Sequence, residues 1–396
     1  MKKLSIFLAL LLPLSAFAQG GNTGMGVEQI QFESLAQRLL ELEKKSEAFN
    51  VYMNFAGSYA SSNGDEMGFS GWNSAFRARE MRLEIKGNLT DRIYYRFRHK
   101  INGTSAAASL DNFSAATDLF MIGFALSDKF SVEGGKICQH WGGFDYDENP
   151  MYVYQYSDLL NHMDIFFGGV AFCWRPVPEQ EFVFEVTNPL IHSFANTYSS
   201  PTIITGSSLT DTRSVSGARH PLNILLNWNS SFFDGKLLGR WAVGGMSQSA
   251  DIYAALFNGG FKFNSSRFQC YLDYMFEKDG IDRLGIASAD FALPSGTRIG
   301  NALYTSLIGK IFWQFLPGWN LVAKGSFDTA DCGAFRNYRR SLMGVCSLEY
   351  YPDPSQDFRI FVAGTLHKVG YSAQSGLKPF DTARLELGVM YRIKCY

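Results

Sequence analysis

The sequence has 396 residues, a net charge of −1 at pH 7 and an aromatic content of 15%. A chain this close to neutral lacks the basic surplus typical of nucleic-acid-binding proteins, so we expect no nucleic-acid partner. After residue 18, no apolar stretch approaches the length of about 20 residues that a membrane-spanning helix requires. The aromatic residues therefore belong either in soluble cores or on the outside of a membrane β-barrel.

Residues 1–18 have the pattern of a secretory signal peptide. Two lysines precede an apolar run from Ile6 to Leu14, and a small-x-small cleavage site ends at Ala18. The apolar run is too short to be a transmembrane helix. We predict cleavage after Ala18 and therefore export of the mature chain.

Residues 19–49 form a separate region that differs from everything downstream. Its apolar residues recur at spacings of three, four, three and seven on an otherwise polar segment: Phe32, Leu35, Leu39, Leu42 and Phe49. This short heptad stripe predicts a periplasmic helix. The helix could join protomers as a small coiled coil or lie against the base of the following domain.

From Asn50 onward the apolar period changes to two, which is typical of β-strands. Between residues 81 and 86, for example, three apolar residues alternate with Arg82, Glu84 and Lys86. Sixteen such strands are predicted, near residues 50–60, 74–87, 91–102, 117–127, 130–140, 164–175, 180–188, 220–230, 235–247, 251–264, 266–277, 299–315, 318–328, 339–351, 357–368 and 381–396.

Alternation alone also fits a soluble β-sandwich. Three further features favour a membrane barrel: the predicted strands are long, short and long connections alternate, and Trp and Tyr lie near the short turns. We therefore predict an all-β fold, a 16-stranded antiparallel transmembrane β-barrel of residues 50–396 with a short N-terminal helix. A barrel of this width leaves an aqueous channel. The last strand runs to Tyr396, and its apolar register predicts a bulge near Lys394 and Cys395.

The third long loop, residues 141–163, is acidic and rich in aromatic residues. Together with its flank it has five acids and neither Lys nor Arg: Asp145, Asp147, Glu148, Asp158 and Asp164. Its aromatic side chains would be poorly placed on a free surface loop, so we expect it to fold into the barrel and narrow the pore. The alternative is an external loop that packs on its neighbours.

The second and third strands carry the opposite charge. Their polar faces hold five basic residues, which we predict to line the pore: Arg82, Lys86, Arg96, Arg98 and Lys100. These residues could form a salt-bridged ladder between the two strands or a wall that attracts anions, and the two roles are compatible.

Other chemical sites are weakly indicated. Asp145, Asp147 and Asn149 resemble the start of a calcium loop, but Pro150 stands where glycine is required, so we predict no metal site. The six histidines are scattered and form no ligand pair, and we predict no cofactor and no enzymatic activity. The six cysteines form no C-x-x-C pair and are interpreted as small apolar residues.

Residues 76–97 resemble the opening hairpin of the phosphate-selective porin O and P family. Further segments in the family's order and spacing are Gly135-Lys136, Gly142-Gly143, Tyr156-Ser-Asp158 and Gly168-Gly169-Val170. The resemblance implies a homotrimeric, 16-stranded channel for small anions in the outer membrane of a Gram-negative cell envelope, surrounded by lipid. It also implies that loop three folds inward and that lumenal basic residues, here Arg82, Arg96 and Arg98, guide the substrate.

One departure from the family is the acidic character of loop three. A basic wall opposite an acidic loop would produce a transverse field, as in general-diffusion porins. We therefore predict a porin for passive diffusion of small hydrophilic solutes and ions. An anion- or phosphate-selective channel is the first alternative, and a barrel that acts mainly as a surface receptor or adhesin is the second.

Overall fold

The computed structural model of the protein describes residues 48–64, 71–198, 202–205, 209–333, 335–353 and 356–396. The predicted signal peptide and all but the last two residues of the 19–49 region lie outside the described residues. Within the described part of the chain, no helix has the length and apolar character needed to cross a membrane.

Sixteen of the strands form one closed antiparallel β-barrel. Each pairs with its neighbours in chain order, β7 pairs with β10 across a long loop, and β18 pairs with β1. The strands are β1 (Asn50–Asn63), β2 (Trp72–Asn88), β3 (Ile93–Lys100), β4 (Thr117–Ala125), β5 (Phe130–Cys138), β6 (Phe166–Val177), β7 (Gln180–Thr187), β8 (Thr202–Ile204), β9 (Thr212–Ser214), β10 (Asn223–Phe232), β11 (Leu237–Ser247), β12 (Tyr253–Asn264), β13 (Phe268–Ile281), β14 (Thr297–Leu316), β15 (Trp319–Asp331), β16 (Arg339–Tyr350), β17 (Asp357–Tyr371) and β18 (Phe380–Lys394). The prediction of sixteen barrel strands is confirmed, each within a few residues.

The two remaining strands were not predicted. β8 and β9 form a small hairpin inside the loop between β7 and β10, and β8 pairs in parallel with the start of β14. Short helices also lie in the long loops, at Phe144–Asp147, Asp158–His162, Phe194–Tyr198 and Ile286–Asp290.

The barrel closes where the start of β1 pairs with the residues that follow β18. The Val51 N–H donates to the Tyr396 carbonyl at 3.0 Å, while the N–H groups of Cys395 and Tyr396 both donate to the Val51 carbonyl, at 2.8 and 3.4 Å. Two residues of one strand end therefore face one residue of the other, which is the pattern of a β-bulge. The bulge predicted near Cys395 is confirmed.

Side chains alternate between the two faces of the barrel wall. On β4, Phe120, Ile122 and Phe124 point outward and are exposed, while inward-facing Asn54 and Ser58 of β1 are buried. No disulfide joins the cysteines of the described residues, and Cys346 is exposed on the outer face. An apolar outer face with a polar inner face is the arrangement of a barrel that surrounds water.

Candidate functional site

Loop three, predicted at residues 141–163, spans residues 139–165 between β5 and β6 and runs inside the barrel. Inward-facing side chains hold its backbone: Asn227 of β10 donates to the His140 carbonyl at 3.0 Å, and Asn258 of β12 donates to the Trp141 carbonyl at 2.8 Å. Farther along, Arg384 of β18 donates to the Tyr154 carbonyl at 2.6 Å. Because these strands lie on different sides of the barrel, the loop crosses its interior.

Two apolar clusters hold loop three, one near its start and one near its tip. Near its start, Trp141, Phe144 and Tyr146 pack against inward-facing residues of β11–β14. Near its tip, Met151, Tyr152 and Tyr154 pack in a second cluster whose wall residues are Ala56, Met343, Val345, Phe361, Ala363 and Met390. These contacts account for apolar side chains on the inner face of an otherwise polar lumen.

A buried ion pair fixes the root of the loop. His140 is nearly fully buried, and both its backbone N–H and its Nδ1 atom contact Glu185 of β7, at 3.0 and 2.9 Å. Burial lowers the pKa of His140, but the hydrogen bond and negative charge of Glu185 outweigh burial and raise that pKa to about 9. His140 is therefore protonated at neutral pH and charge-paired with the wall.

The four acids predicted for the constriction all contact basic side chains of the barrel. Asp145 contacts Lys324 of β15, Asp147 contacts Arg240 of β11 at 3.0 Å, and Glu148 contacts Lys310 of β14. Asp158 contacts Arg339 of β16 at 2.7 Å and His367 of β17 at 3.1 Å. We call the inward-facing basic residues Arg240, Lys310, Lys324 and Arg339 the opposite wall.

Asp158 illustrates the electrostatic consequence of this pairing. Burial alone would raise the pKa of its carboxyl group. The hydrogen bond from His367 and the charge of Arg339 outweigh burial and hold that pKa well below its usual range. The carboxylate is therefore ionised and neutralised by its partners on the wall.

The five basic residues predicted to line the pore lie together where the barrel closes. We call the inner face of β18, β1, β2 and β3 the seam wall. Residues directly opposite in an antiparallel pair share a face, and β2 and β3 pair Arg82 with Lys100, Glu84 with Arg98 and Lys86 with Arg96. Because Arg82 is also directly opposite the inward-facing Asn54 of β1, all five share the inner face of the barrel.

Arg82, Arg96 and Arg98 form ion pairs with acids of β2 and β4. Arg82 and Arg98 both contact Asp118 of β4, at 2.7 and 3.1 Å, and Arg96 contacts Glu84 at 2.7 Å. Arg98 is completely buried. The expected salt-bridged ladder is thus present, and it includes Asp118, which sequence analysis did not single out.

The seam wall nevertheless has an excess of positive charge. Its inward-facing charged residues comprise three acids and ten basic residues, placed by strand register except for Arg79, which is placed by its contact with Glu386. The acids are Glu80, Glu84 and Glu386, joined by Asp118 from β4; the basic residues are Arg77, Arg79, Arg82, Lys86, Arg96, Arg98, Lys100, Arg384, Arg392 and Lys394. Ten basic groups against four acids leave a strongly basic inner surface.

Three of these basic side chains surround the ring of Tyr52, at the end of the seam wall where the short turns lie. The Arg392 guanidinium lies 4.0 Å from the centroid of the Tyr52 ring, Lys86 Nζ lies 5.2 Å away, and Lys394 Nζ lies 5.9 Å away. Cations at these distances interact favourably with the face of the ring. We call these four residues the Tyr52 cluster.

Sequence analysis missed the basic residues of β18 and of the opposite wall. The signal was available for β18, because Arg384, Glu386 and Arg392 alternate with its apolar residues. For the opposite wall the polar positions were visible, but nothing indicated that they face loop three. Within the described ranges there is no group of three His, Cys, Asp or Glu residues that could hold a metal ion.

A closed 16-stranded barrel with an inner loop and a charged lumen is the architecture of a porin. The family model for "Phosphate-selective porin O and P" matches residues 49–393, so the chain belongs to that family. The protein is a porin, a channel for passive diffusion. No curated protein matches its sequence.

Solved structures support the same fold. The outer membrane channel DcaP of Acinetobacter baumannii superposes with a TM-score of 0.56 at 10% identity, over 88% of this chain and 99% of that chain. The anion-selective porin from Comamonas acidovorans gives a TM-score of 0.54 at 9% identity, over 87% and 99%. The trimer form of OmpT from Vibrio cholerae gives 0.53 at 9% identity, over 87% and 100%.

Proposed function

We propose that this porin lies in the outer membrane and passes small hydrophilic solutes with a preference for anions. The solutes travel along the seam wall, and loop three narrows the lumen from the other side. The proposal rests mainly on one observation: the predicted constriction acids each contact basic side chains outside the seam wall. Their negative charge is neutralised there, and the basic surplus of the seam wall remains.

The physical argument concerns which charges an ion meets in the lumen. A carboxylate that is buried against a lysine or arginine projects little field, whereas a row of basic groups lowers the energy of an anion along its path. Of the five predicted residues, Lys86, Arg96 and Lys100 are partly exposed and belong to this row, whereas Arg82 and Arg98 are buried against Asp118. Family membership points to the same class of solute, since the matched family is phosphate-selective by name.

The organisation of the chain follows from this location. We propose a signal peptide at 1–18, a periplasmic helical segment at 19–49 and a transmembrane barrel at 50–396. The barrel would sit in outer-membrane lipid as a homotrimer; the trimer form of OmpT offers a parallel among proteins of this fold. A channel of this family requires neither catalytic residues nor a cofactor, and we propose neither.

The test is the reversal potential of the reconstituted protein in a planar bilayer under a KCl gradient, with and without phosphate. We expect anion selectivity, and we expect the double variant Lys86→Gln/Lys394→Gln to reduce it. The matched control is Lys236→Gln, which removes an exposed charge from the β10–β11 turn. Cation selectivity of the wild type would contradict the anion preference and favour a general-diffusion porin. Absence of conductance would contradict the channel and leave a receptor or adhesin.

A further inference from the structure

Three exposed basic side chains lie on the outer face of the barrel, at the end of the strands where the long loops begin. They are Lys278 of β13, Arg340 of β16 and Lys368 of β17. Lys368 is directly opposite Leu342, whose side chain is exposed on the outer face, and Arg340 precedes Leu342 by two residues. Lys278 follows the exposed Leu272 by six residues, so alternation turns it outward as well. We call these three residues the outer basic belt.

The belt has the same spacing from the other end of the barrel on all three strands. Each of its residues lies ten residues from an outward-facing aromatic residue at the short-turn end of its own strand: Phe268 on β13, Tyr350 on β16 and Phe358 on β17. Ten residues at about 3.3 Å each, tilted by about 40°, cover roughly 25 Å along the barrel axis. This equals the height of the apolar band of an outer-membrane barrel, about 25 Å. The belt therefore stands where the hydrocarbon of a surrounding bilayer would end and the lipid headgroups would begin.

The positive charge of the belt is not neutralised inside the described part of the chain. Within those ranges, none of its three side chains has an ion-pair or hydrogen-bond partner. Two acids, Asp331 and Asp381, share the outer face at this height by strand register. Asp331 accepts a hydrogen bond from the Asn337 N–H at 2.6 Å, and Asp381 is directly opposite Lys368 without forming an ion pair with it. The acids thus reduce the positive charge of the belt but leave its cations available to an external anion.

We propose that the outer basic belt binds the phosphate groups of lipids in the outer leaflet of the membrane. The acyl chains of these lipids would cover the exposed leucines beneath the belt, Leu272, Leu342 and Leu366, which are 59%, 59% and 67% exposed. A phosphorylated lipid carries negative charge directly above hydrocarbon, and this face of the barrel carries positive charge directly above apolar side chains. This complementarity of charge and polarity identifies the occupant. The inference rests on the proposed membrane location.

The test measures binding of diphosphoryl lipid A to the full protein in detergent by native mass spectrometry, with the dephosphorylated lipid as a second probe. Each basic residue near an anionic lipid surface strengthens association about fivefold. We therefore expect the triple variant Lys278→Gln/Arg340→Gln/Lys368→Gln to bind lipid A on the order of a hundredfold more weakly. The dephosphorylated lipid should bind the wild type and the triple variant equally weakly. Lys236→Gln, the matched control at the short-turn end, should bind lipid A as the wild type does.

Two further variants distinguish charge from side-chain shape. Lys278→Arg/Lys368→Arg keeps the charge and should retain binding, whereas Asp381→Asn should strengthen it. If the triple variant does not fold, the single variant Arg340→Gln replaces it and should weaken binding about fivefold.

Three results would overturn the lipid site: unchanged binding in the charge-removing variants, equal binding of the dephosphorylated lipid to that of lipid A, or displacement of lipid A by millimolar inorganic phosphate. A wild type that conducts ions but does not bind lipid A would also overturn it and leave the proposed function intact. A wild type that binds lipid A through the belt but does not conduct would support the lipid site and contradict the proposed function.

Discussion

Replacement of Asp145 by asparagine tests whether loop three is anchored by buried charge. Asp145 is completely buried, its Oδ1 atom accepts a hydrogen bond from the Tyr271 hydroxyl at 2.8 Å, and it contacts Lys324 Nζ. Removal of one partner of a buried ion pair costs about 3–5 kcal/mol, because the other charge stays buried without compensation. Lys324 retains a hydrogen bond to the Gln155 carbonyl at 2.7 Å. We therefore expect the lower end of that range, about 3 kcal/mol.

The assay is urea unfolding of the refolded barrel, combined in a double-mutant cycle with Lys324→Met. The double variant should recover most of the lost stability, because the unpaired lysine is gone. Asp147→Asn is the matched control: its pair with Arg240 is partly exposed, at 13% and 18%, so its loss should cost less than about 1 kcal/mol. Equal effects of Asp145→Asn and Asp147→Asn would refute the buried anchor. Asp145→Asn should also increase anion selectivity in the reversal-potential measurement.

Three further predictions concern titration and thiol exposure. The pKa of the Asp158 carboxyl group is held below its usual value. The stability that the ionised Asp158 contributes is therefore present above about pH 4 and is lost as pH falls through the lower folded-state pKa. Asp158→Asn should remove this acid dependence of the urea midpoint. Glu185 raises the pKa of His140 to about 9. The stability that this pair contributes is therefore complete below about pH 6.5 and is lost as pH rises through 9. His140→Gln should abolish that loss of stability between about pH 7 and 10, and an unchanged dependence of the urea midpoint on pH would contradict the pairing. In vesicles, Cys395 should react with a charged maleimide, whereas Cys346, on the outer apolar face, should react only with a membrane-permeant one; equal labelling would contradict the outward position of Cys346.

The barrel was predictable because its information is local. Apolar and polar side chains alternate over about ten residues in each strand, and the face that lipid or a core covers must be apolar. A shift of one residue in strand register would turn all of these apolar side chains to the wrong face. The bulge at Cys395 was predictable for the same reason, since Tyr396 is out of step with Leu385 and Leu387. The hairpin of β8 and β9 was not, because strands of three residues are too short for a period to appear.

The partners of loop three could not be predicted, because they depend on distant parts of the chain. Asp145 and Lys324 are 179 residues apart in sequence, and only the closed barrel brings them together. The wall residues that pack against the tip of loop three also depart from the alternation of apolar outer and polar inner residues. Met343, Phe361 and Met390 are apolar residues on the inner face. Sequence alternation separates the two faces of a strand but does not identify what covers them.

The distribution of charge in the lumen reconciles an acidic loop with an anion-conducting family. Considered in isolation, loop three would attract cations, because it carries five acids and neither lysine nor arginine. In the folded barrel, however, four of its five acids contact basic groups on strands β11 and β14–β17: Asp145, Asp147, Glu148 and Asp158. In the function proposed above, the loop neutralises one side of the pore and leaves the seam wall basic, so its acidity would direct anions to one path and would not oppose their passage.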